Sequence, residues 1–375
     1  MRVCYVSSSE GQNVHDLRLL REYQRRGYEL SIFSMARNPL NLEGVETINY
    51  PIDFSTNSLT LKGGLRLVPK MLQAASELRR EAQSVDILHA GFVQKDGLVG
   101  YLSKKRPLVL LTWGSDILIH PFSSRLVMAL TRVILAKADA ITVDADYVRQ
   151  KLLEICPTAA SKAFIFRHGV NLTLFKPLPP LEREELRERL GVADKKVLIM
   201  ARMFESVYDH ETFIKSLPAV IEQHPDTHIF LCGAGSLMPE VISQVQRLGL
   251  GKHITFTGLL TPEQLAQYFA ASDLYVSTSK SDGSSLALME AMACGLPAIL
   301  TNVPANLEWV RAGEGGEIVP VGDSHVLSHL TSNLLEDERR IREYGKRNRQ
   351  VAEEKADWSK NFDGLEQMLR GLVNT

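Results

Sequence analysis

The chain has 375 residues, 45% of them hydrophobic and 23% charged, with a net charge of −1 at neutral pH. This composition is typical of a globular protein, and the length favours two domains over a single hydrophobic core. No apolar run is long enough to cross a membrane, the amino terminus has no signal-peptide pattern, and the four cysteines show no metal-ligand spacing. A cytoplasmic protein with reduced thiols is therefore expected.

The first half alternates short apolar runs with amphipathic segments. Strands are predicted at 2–6, 29–34, 85–90, 107–112 and 139–143, and helices at 15–27, 67–83 and 124–138. Buried, β-branched strands that alternate with helices form parallel sheets covered on both faces. The first half is therefore predicted to be a Rossmann-like domain.

The same pattern restarts after a Pro-rich segment at 174–182, which is interpreted as a linker. Strands follow at 196–202, 227–233, 253–258, 273–279, 297–301 and 316–322, and the final helices at roughly 324–352 and 357–372. The prediction is an α/β protein with two doubly wound, Rossmann-like domains, 1–173 and 174–356, that face each other across a cleft. Segment 357–375 is expected to pack back on the first domain. Ligands of such sheets bind at the carboxyl ends of the strands.

The stretch SDGSSLALMEAMACGLPAIL, residues 281–300, has features of a nucleotide site. Ser284 or Ser285 is the predicted N-cap of a helix whose amino end would attract phosphate. Glu290 stands alone among Leu, Met and Ala, and a buried carboxylate needs hydrogen-bond donors. A ribose diol would supply them, so the stretch indicates a nucleoside diphosphate. A surface ion pair of Glu290 is the alternative.

The spacing Asp282-x7-Glu290, followed by AMACGLPAI, resembles the Glu-x7-Glu signature of family-4 retaining glycosyltransferases with the GT-B fold. Further segments resemble that family in the same order along the chain: LLTWGSDIL, FRHGVNLTLFKP, VLIMARMFESVYDHETFIKSL, IFLCGAGSLMPE and ITFTGLLTPEQLAQYFAASDLYVSTS. The resemblance implies transfer of a sugar from a nucleotide diphosphate sugar to a hydroxyl of a glycan or lipid-linked acceptor, with retention. It implies no metal or other cofactor, and a UDP-sugar is favoured over a GDP-sugar.

The resemblance also implies roles for individual residues. Asp282 would contact the donor sugar, Glu290 the ribose, and Arg202 the diphosphate as it leaves. The remaining expected donor contacts are Gly283, Ser284, Ser285, Leu286, Tyr208, Gly233 and Gly11. A loop expected near the acceptor or sugar comprises Trp113, Gly114, Ser115 and Asp116.

The chain departs from the family pattern at several positions. Asp282 stands where Glu is commoner. The Lys that many members have shortly after the Arg is missing here, so Tyr208 would offer a hydroxyl to the phosphate instead. Trp113 stands where the first-domain loop often has His, and the first loop has only Gly11 where two glycines are frequent. The missing Lys and His positions leave a non-catalytic sugar-nucleotide-binding relative as one alternative. A nucleotide-sugar epimerase on the same two-domain plan is the other.

Two short motifs indicate other chemistry. Asp144-Ala145-Asp146 matches a metal-binding Asp-x-Asp, but it lies where a helix begins, and N-capping by either acid is the simpler interpretation. Gly233-Ala234-Gly235 lacks the third glycine of a dinucleotide fingerprint. No nucleic-acid-binding module is recognised.

Charge is unevenly distributed along the chain. Residues 1–180 carry 23 Lys and Arg against 16 Asp and Glu, whereas residues 181–375 carry 20 against 28. The basic first half predicts an anionic partner. Segments 62–80 and 124–138 are basic and amphipathic, so each is a candidate for peripheral contact with the anionic inner face of a membrane. A core helix with solvated basic residues is the alternative for each segment.

Overall fold

The computed structural model describes residues 1–11, 13–54 and 61–374, without the side chains of Val14 and 61–66. The first five side chains of the predicted basic segment at 62–80 thus lie outside the described part. The chain forms two compact units. Unit 1 comprises 1–166 and 364–375, and unit 2 comprises 167–363. These boundaries differ by several residues from those expected at 173 and 356.

Unit 1 contains a seven-stranded parallel sheet with the order β3-β2-β1-β4-β5-β6-β7. The strands are β1 (Arg2–Ser7), β2 (Glu29–Ser34), β3 (Glu46–Asn49), β4 (Ile87–Ala90), β5 (Leu108–Leu111), β6 (Ala140–Val143) and β7 (Ala163–Ile165). The five predicted strands are confirmed. The two outer strands, β3 and β7, escaped prediction because they are short and contain no fully buried residue.

Helices flank this sheet at α1 (Val14–Arg25), α2 (Leu61–Glu81), α3 (Leu98–Ser103), α4 (Ser115–Leu118), α5 (Arg125–Lys137) and α6 (Asp146–Ile155). The three predicted helices correspond to α1, α2 and α5. The predicted capping of α6 by Asp144 or Asp146 is wrong, because the N-cap is Ala145, which has no capping side chain. Within the described residues, no helix has both the length and the apolarity that spanning a bilayer requires.

Unit 2 contains a six-stranded parallel sheet with the order β10-β9-β8-β11-β12-β13. The strands are β8 (Lys196–Ala201), β9 (Thr227–Cys232), β10 (Ile254–Gly258), β11 (Leu274–Ser277), β12 (Ala298–Thr301) and β13 (Gly316–Val319). All six predicted strands are confirmed. The chain order reverses between β8 and β11, so the loops that follow these two strands border the expected ligand position.

The helices that follow in chain order are α7 (Pro180–Arg189), α8 (His210–Gln223), α9 (Met238–Arg247), α10 (Pro262–Ala271), α11 (Leu286–Ala293), α12 (Pro304–Leu307), α13 (Ser324–Glu336), α14 (Glu338–Lys355) and α15 (Trp358–Val373). The segment predicted as one helix at 324–352 is divided between α13 and α14. Asp337 separates them, because its side chain accepts a hydrogen bond from the Arg340 amide at 2.9 Å and caps α14.

Candidate functional site

The loops after β8 and β11 bring three of the predicted residues together at the carboxyl edge of unit 2. Arg202 directly follows β8 and is only 8% exposed. Its Nη2 donates to Asp282 Oδ2 at 2.6 Å, and its Nη1 donates to Ser285 Oγ at 2.5 Å. The guanidinium is thus held in one orientation by a carboxylate and a hydroxyl from the predicted nucleotide loop.

This guanidinium keeps its positive charge although it is buried. Burial alone would lower the pKa of Arg202, but the adjacent Asp282 carboxylate and two tyrosines raise that pKa above its ordinary value. Within the described part of the chain, no acceptor lies within hydrogen-bonding distance of the Arg202 Nε. A buried donor of this kind favours an added acceptor, and phosphate oxygens suit a guanidinium.

Tyr208 contributes its ring rather than its hydroxyl to this cluster. The guanidinium carbon of Arg202 lies 4.1 Å from the centroid of the Tyr208 ring, a cation–π geometry. Tyr208 therefore stabilises the charge of Arg202, and it lies in the segment where many family members have a Lys.

Residues that the sequence did not single out join the two loops. The Thr278 hydroxyl is 3.1 Å from the carbonyl oxygen of Tyr208 and 2.9 Å from that of Asp209. Asp209 has a left-handed backbone, with φ of 49°, and its carboxylate is 3.3 Å from Lys280 Nζ. These contacts fix the loop after β8 to the loop after β11. No signal in the sequence marked Asp209, because its unusual feature is a left-handed backbone, which only the structure reveals.

The start of α11 has the predicted cap. Ser285 is the N-cap, and its Oγ accepts a hydrogen bond from the Leu288 amide at 3.3 Å. The neighbouring Ser284 Oγ accepts a hydrogen bond from the Trp309 indole at 3.2 Å. With these contacts, residues Gly283 to Leu286 bring the amino end of α11 beside Arg202. This juxtaposition of a helix amino end and a cation suits an anion.

Glu290 lies one turn further along α11 and is 8% exposed. It is flanked by Met289 and Ala291, both fully buried. The pKa of the Cys294 thiol, four residues on, is raised by burial and then by the charge of Glu290. Glu290 is therefore not a solvated surface residue, as the surface ion-pair alternative required.

Gly233 acts on this site through the backbone. Its φ is 141°, and a Cβ atom at this position would overlap the carbonyl oxygen of Arg202. A Cβ on Gly235 would lie 2.5 Å from the carbonyl oxygen of Phe204. Because only glycine permits these approaches, the turn after β9 packs directly on the loop that carries Arg202. The Gly-x-Gly pattern thus positions Arg202.

Gly11 lies in the loop after β1 in unit 1. Its backbone adopts a φ of 57°, and its amide donates to the Asn38 carbonyl at 2.7 Å. Glu10 accepts hydrogen bonds from the Arg37 and Asn38 amides at 2.9 and 2.8 Å. These bonds join the loop after β1 to the loop after β2. A Cβ on Gly11 would meet no atom within 4 Å, so its positive φ, rather than a close approach, favours glycine.

The predicted acceptor loop, Trp113 to Asp116, is held by its own last residue. Asp116 is fully buried, and its two carboxylate oxygens accept hydrogen bonds from the Trp113 amide at 2.9 Å and the Val93 amide at 3.2 Å. Burial raises the pKa of Asp116 to about 7. Gly114, with φ of 82°, and Ser115 begin the short helix α4. Asp116 thus positions the loop, and Trp113 and Ser115 retain partial exposure.

Two further buried acids at this edge of unit 1 were not predicted. Asp16 accepts hydrogen bonds from the Tyr5 hydroxyl at 2.5 Å and the Ser7 hydroxyl at 3.1 Å. Asp96 accepts one from the Phe92 amide at 3.0 Å, and burial raises its pKa to about 7. Asp96 comes shortly after the predicted strand at 85–90, and that position was the available signal; Asp16 lies in the first turn of α1 and had none. In the described ranges, no three His, Cys, Asp or Glu side chains are grouped to hold a metal ion.

Family comparisons agree with this arrangement. The model described as "Glycosyltransferase Family 4" matches residues 9–174, and the model described as "Glycosyl transferases group 1" matches residues 182–351. With its two α/β units, the chain belongs to the family-4 glycosyltransferases of the GT-B fold. The predictions of family and fold class are thereby confirmed.

Individual relatives are distant. Spore coat protein SA of Bacillus subtilis (strain 168) is 27% identical over 240 residues, which cover 61% of this chain and 63% of that protein. N-acetyl-alpha-D-glucosaminyl L-malate synthase of Bacillus anthracis is 24% identical over 355 residues, 92% of this chain and 90% of that enzyme. The structure of Anabaena Alr3699/HepE in complex with UDP superposes with a TM-score of 0.82 at 20% identity, covering 99% of this chain and 100% of that one. The match to spore coat protein SA thus spans less than two thirds of that protein. At 20% identity, the likeness to the Anabaena structure shows the fold alone.

Proposed function

We propose that this glycosyltransferase moves a hexosyl or N-acetylhexosaminyl group from a nucleoside diphosphate sugar to a hydroxyl of a glycan or lipid-linked acceptor. The anomeric configuration is retained in this proposal. A uridine diphosphate donor is favoured, since the similar Anabaena structure is a complex with UDP. The name of the Bacillus anthracis relative supports an N-acetylglucosaminyl group as one candidate.

The observation that carries the proposal is the buried Arg202, which is oriented by Asp282 and Ser285 and has an unmatched Nε among the described residues. When the bond between the anomeric carbon and the diphosphate oxygen breaks, negative charge grows on the diphosphate. A fixed guanidinium beside the amides of α11 stabilises that charge without reorganisation. Arg202 is thus the proposed stabiliser of the leaving group.

Asp282 has two roles in this mechanism. Without donor it neutralises Arg202, and with donor bound it accepts hydrogen bonds from the sugar hydroxyls while the diphosphate takes its place on Arg202. The acceptor oxygen attacks the anomeric carbon on the face from which the diphosphate departs. The acceptor proton passes to the departing diphosphate oxygen, so no strong base and no metal ion are required.

The other predicted donor contacts have supporting roles. Gly283, Ser284, Ser285 and Leu286 present backbone amides to the diphosphate and sugar, and Glu290 accepts hydrogen bonds from the ribose. Tyr208 and Gly233 act through Arg202, by its charge and its position respectively. Gly11 is assigned to the donor phosphates, and the loop with Trp113 is assigned to the sugar and acceptor side.

Glu290→Gln gives a sharp test, because the substitution keeps the size of the buried side chain. Loss of the charged hydrogen bonds to the ribose should weaken UDP binding by about 2 kcal/mol, roughly thirtyfold. Affinity for 2′-deoxy-UDP, which lacks one of the two hydroxyls, should fall by a clearly smaller factor. Isothermal titration calorimetry with both nucleotides measures the difference, and equal losses would contradict the ribose assignment.

Donor and acceptor are identified separately. A panel of nucleotide sugars is first screened for protection against thermal unfolding, since a ligand at about 100 times its dissociation constant adds about 2.7 kcal/mol. The protecting donor, labelled in its sugar, is then incubated with and without glycan and lipid-linked acceptors. Label transferred to an acceptor supports the proposal. Binding with no transfer indicates a non-catalytic relative, and a changed sugar without acceptor indicates an epimerase.

A further inference from the structure

The outward side of α5 in unit 1 exposes large apolar side chains. Phe122, which lies in the turn before the helix, is 61% exposed, Leu126 is 64% exposed, and Val133 is 44% exposed. Leu126 and Val133, seven residues apart, lie on one side of α5, and Phe122 precedes them in the adjoining turn. Thr131, Ile134 and Leu135 are buried on the opposite side. α5 is therefore anchored by one face and presents a second apolar stripe to solvent.

The same outward side is uniformly basic. Arg125, Arg132 and Lys137 are exposed, and no Asp or Glu occurs between His120 and Lys137. None of these three cations forms an ion pair with a described residue; the Arg132 Nε donates to the Ile155 carbonyl at 3.1 Å. We call the set Phe122, Arg125, Leu126, Arg132, Val133 and Lys137 the α5 face.

Several exposed arginines on other described helices have carboxylate partners. On α14, Arg339 pairs with Glu343 at 3.5 Å and Arg342 pairs with Glu338 at 3.2 Å. On α2, Arg80 pairs with both Glu77 and Glu81, although Val68 and Leu72 are exposed on that helix. Both of these helices carry acidic residues, whereas α5 carries none. The α5 face is therefore distinguished by exposed apolar side chains in a setting whose only charges are positive.

We propose that the α5 face docks on a bilayer that contains anionic lipid. Apolar side chains in one stripe can enter the boundary between headgroups and acyl chains, while Arg and Lys stay at the anionic headgroups. An acidic protein partner would match the charges, but the uniform basic rim and shallow apolar stripe fit a lipid surface. This inference deepens the proposed function, because the α5 face lies in unit 1, the unit expected to take the acceptor. It rests on the proposed function only in assuming a lipid-linked acceptor.

The test uses the full chain and sedimentation with vesicles, without nucleotide. The wild-type chain should bind vesicles in which one third of the phosphatidylcholine is replaced by phosphatidylglycerol, bind pure phosphatidylcholine weakly, and dissociate at high salt. Arg125→Ala with Lys137→Ala should reduce the partition coefficient roughly twenty-five-fold, at about fivefold for each lost cation. Phe122→Ser with Leu126→Ser should reduce it by at least tenfold, because the apolar insertion is lost.

The matched control is Arg339→Ala with Arg342→Ala, which removes the same charge from α14. Its partition coefficient should stay within about twofold of wild type, and an equal loss would overturn the proposal by showing a non-specific charge effect. Absence of wild-type binding to the anionic vesicles would also overturn it. So would an oligomer that Phe122→Ser with Leu126→Ser dissociates while vesicle binding is unchanged, because the face would then be a protein interface.

Nucleotide affinity separates this inference from the proposed function. All variants of the α5 face and of α14 should bind UDP as the wild-type chain does, since none of these residues belongs to the candidate site formed by Arg202, Asp282 and Glu290. Vesicle binding by a chain that binds no nucleotide sugar would contradict the proposed function and leave the α5 face in place. A chain that binds UDP and transfers sugar but does not bind anionic vesicles would support the proposed function and contradict the proposal for the α5 face.

Discussion

The carboxyl edges of the two sheets hold their charged groups in different ways. In unit 2, the buried Arg202 faces the carboxylate of Asp282, so opposite charges neutralise each other. In unit 1, Asp96 and Asp116 are buried against backbone amides, and burial raises the pKa of each to about 7. One edge thus holds a permanent cation, and the other holds carboxyl groups that are half-protonated near neutrality.

The difference indicates what each edge is built to do. A cation whose partner is a single movable carboxylate can exchange that partner for a phosphate. Asp116 binds backbone amides with both carboxylate oxygens and Asp96 binds one amide with its Oδ2, so these acids fix the loops in which they lie. Unit 2 is thus organised for an anionic ligand, and the buried acids of unit 1 organise a scaffold.

The largest effect on folding is expected from Gly233→Ala. The new Cβ would overlap the carbonyl oxygen of Arg202, so the loop after β8 must shift, at a cost of about 3 kcal/mol in the free energy of unfolding. Gly249→Ala is the control, because Gly249 also has a positive φ, of 67°, but open space around it. That variant should lose only about 1 kcal/mol. Equal losses in urea unfolding would show that Gly233 does not press on Arg202.

Arg202→Ala tests the cation of unit 2 directly. Loss of charged hydrogen bonds to the diphosphate should cost about 2 kcal/mol of transition-state stabilisation, which lowers kcat/KM roughly thirtyfold, and should weaken UDP binding. Arg187→Ala is a matched control, since Arg187 is also buried and pairs with Asp273 at 3.2 Å in the same unit. It should lower stability and leave UDP affinity unchanged. An Arg202→Ala enzyme of full activity would assign the diphosphate to another residue.

The effect of Asp96→Asn on stability depends on pH. Because the folded pKa is about 7 and the ordinary value is 3.8, unfolding releases a proton between these values. The wild-type contribution of Asp96 to stability is therefore fully present below about pH 4 and is lost as the pH rises to 7. Relative to wild type, Asp96→Asn should gain stability across that interval, as measured by urea unfolding at several pH values.

Asp86 provides the opposite sign. Its pKa is lowered, first by a hydrogen bond from the Arg2 amide, so its contribution is present above about pH 4 and is lost as the pH falls below it. Asp86→Asn should therefore lose stability relative to wild type as the pH rises through that lower range. Parallel pH profiles for Asp96→Asn and Asp86→Asn would remove the contrast between the buried edge of unit 1 and an ordinary surface carboxylate.

Local patterns were sufficient for most of the fold and for part of the site. Eleven strands were predicted, and the two that escaped, β3 and β7, are short and lack fully buried residues, so they leave no apolar run to read. The N-cap of α11 was predicted as Ser284 or Ser285, and the structure has Ser285; capping could be predicted because it depends on neighbours three residues away. The break at Asp337 was missed because both flanking segments are amphipathic and helical.

The sequence by itself determined the alternation of strands and helices, the capped start of α11, and the presence of Arg202, Asp282 and Glu290 in family order. These features depend on periodicity and on residues close in the chain. Only the tertiary structure decided that Asp116 holds a loop, that Gly233 presses on Arg202, and that Leu126 faces solvent. Each of these depends on burial or on contacts between distant segments, and neither can be read from local spacing.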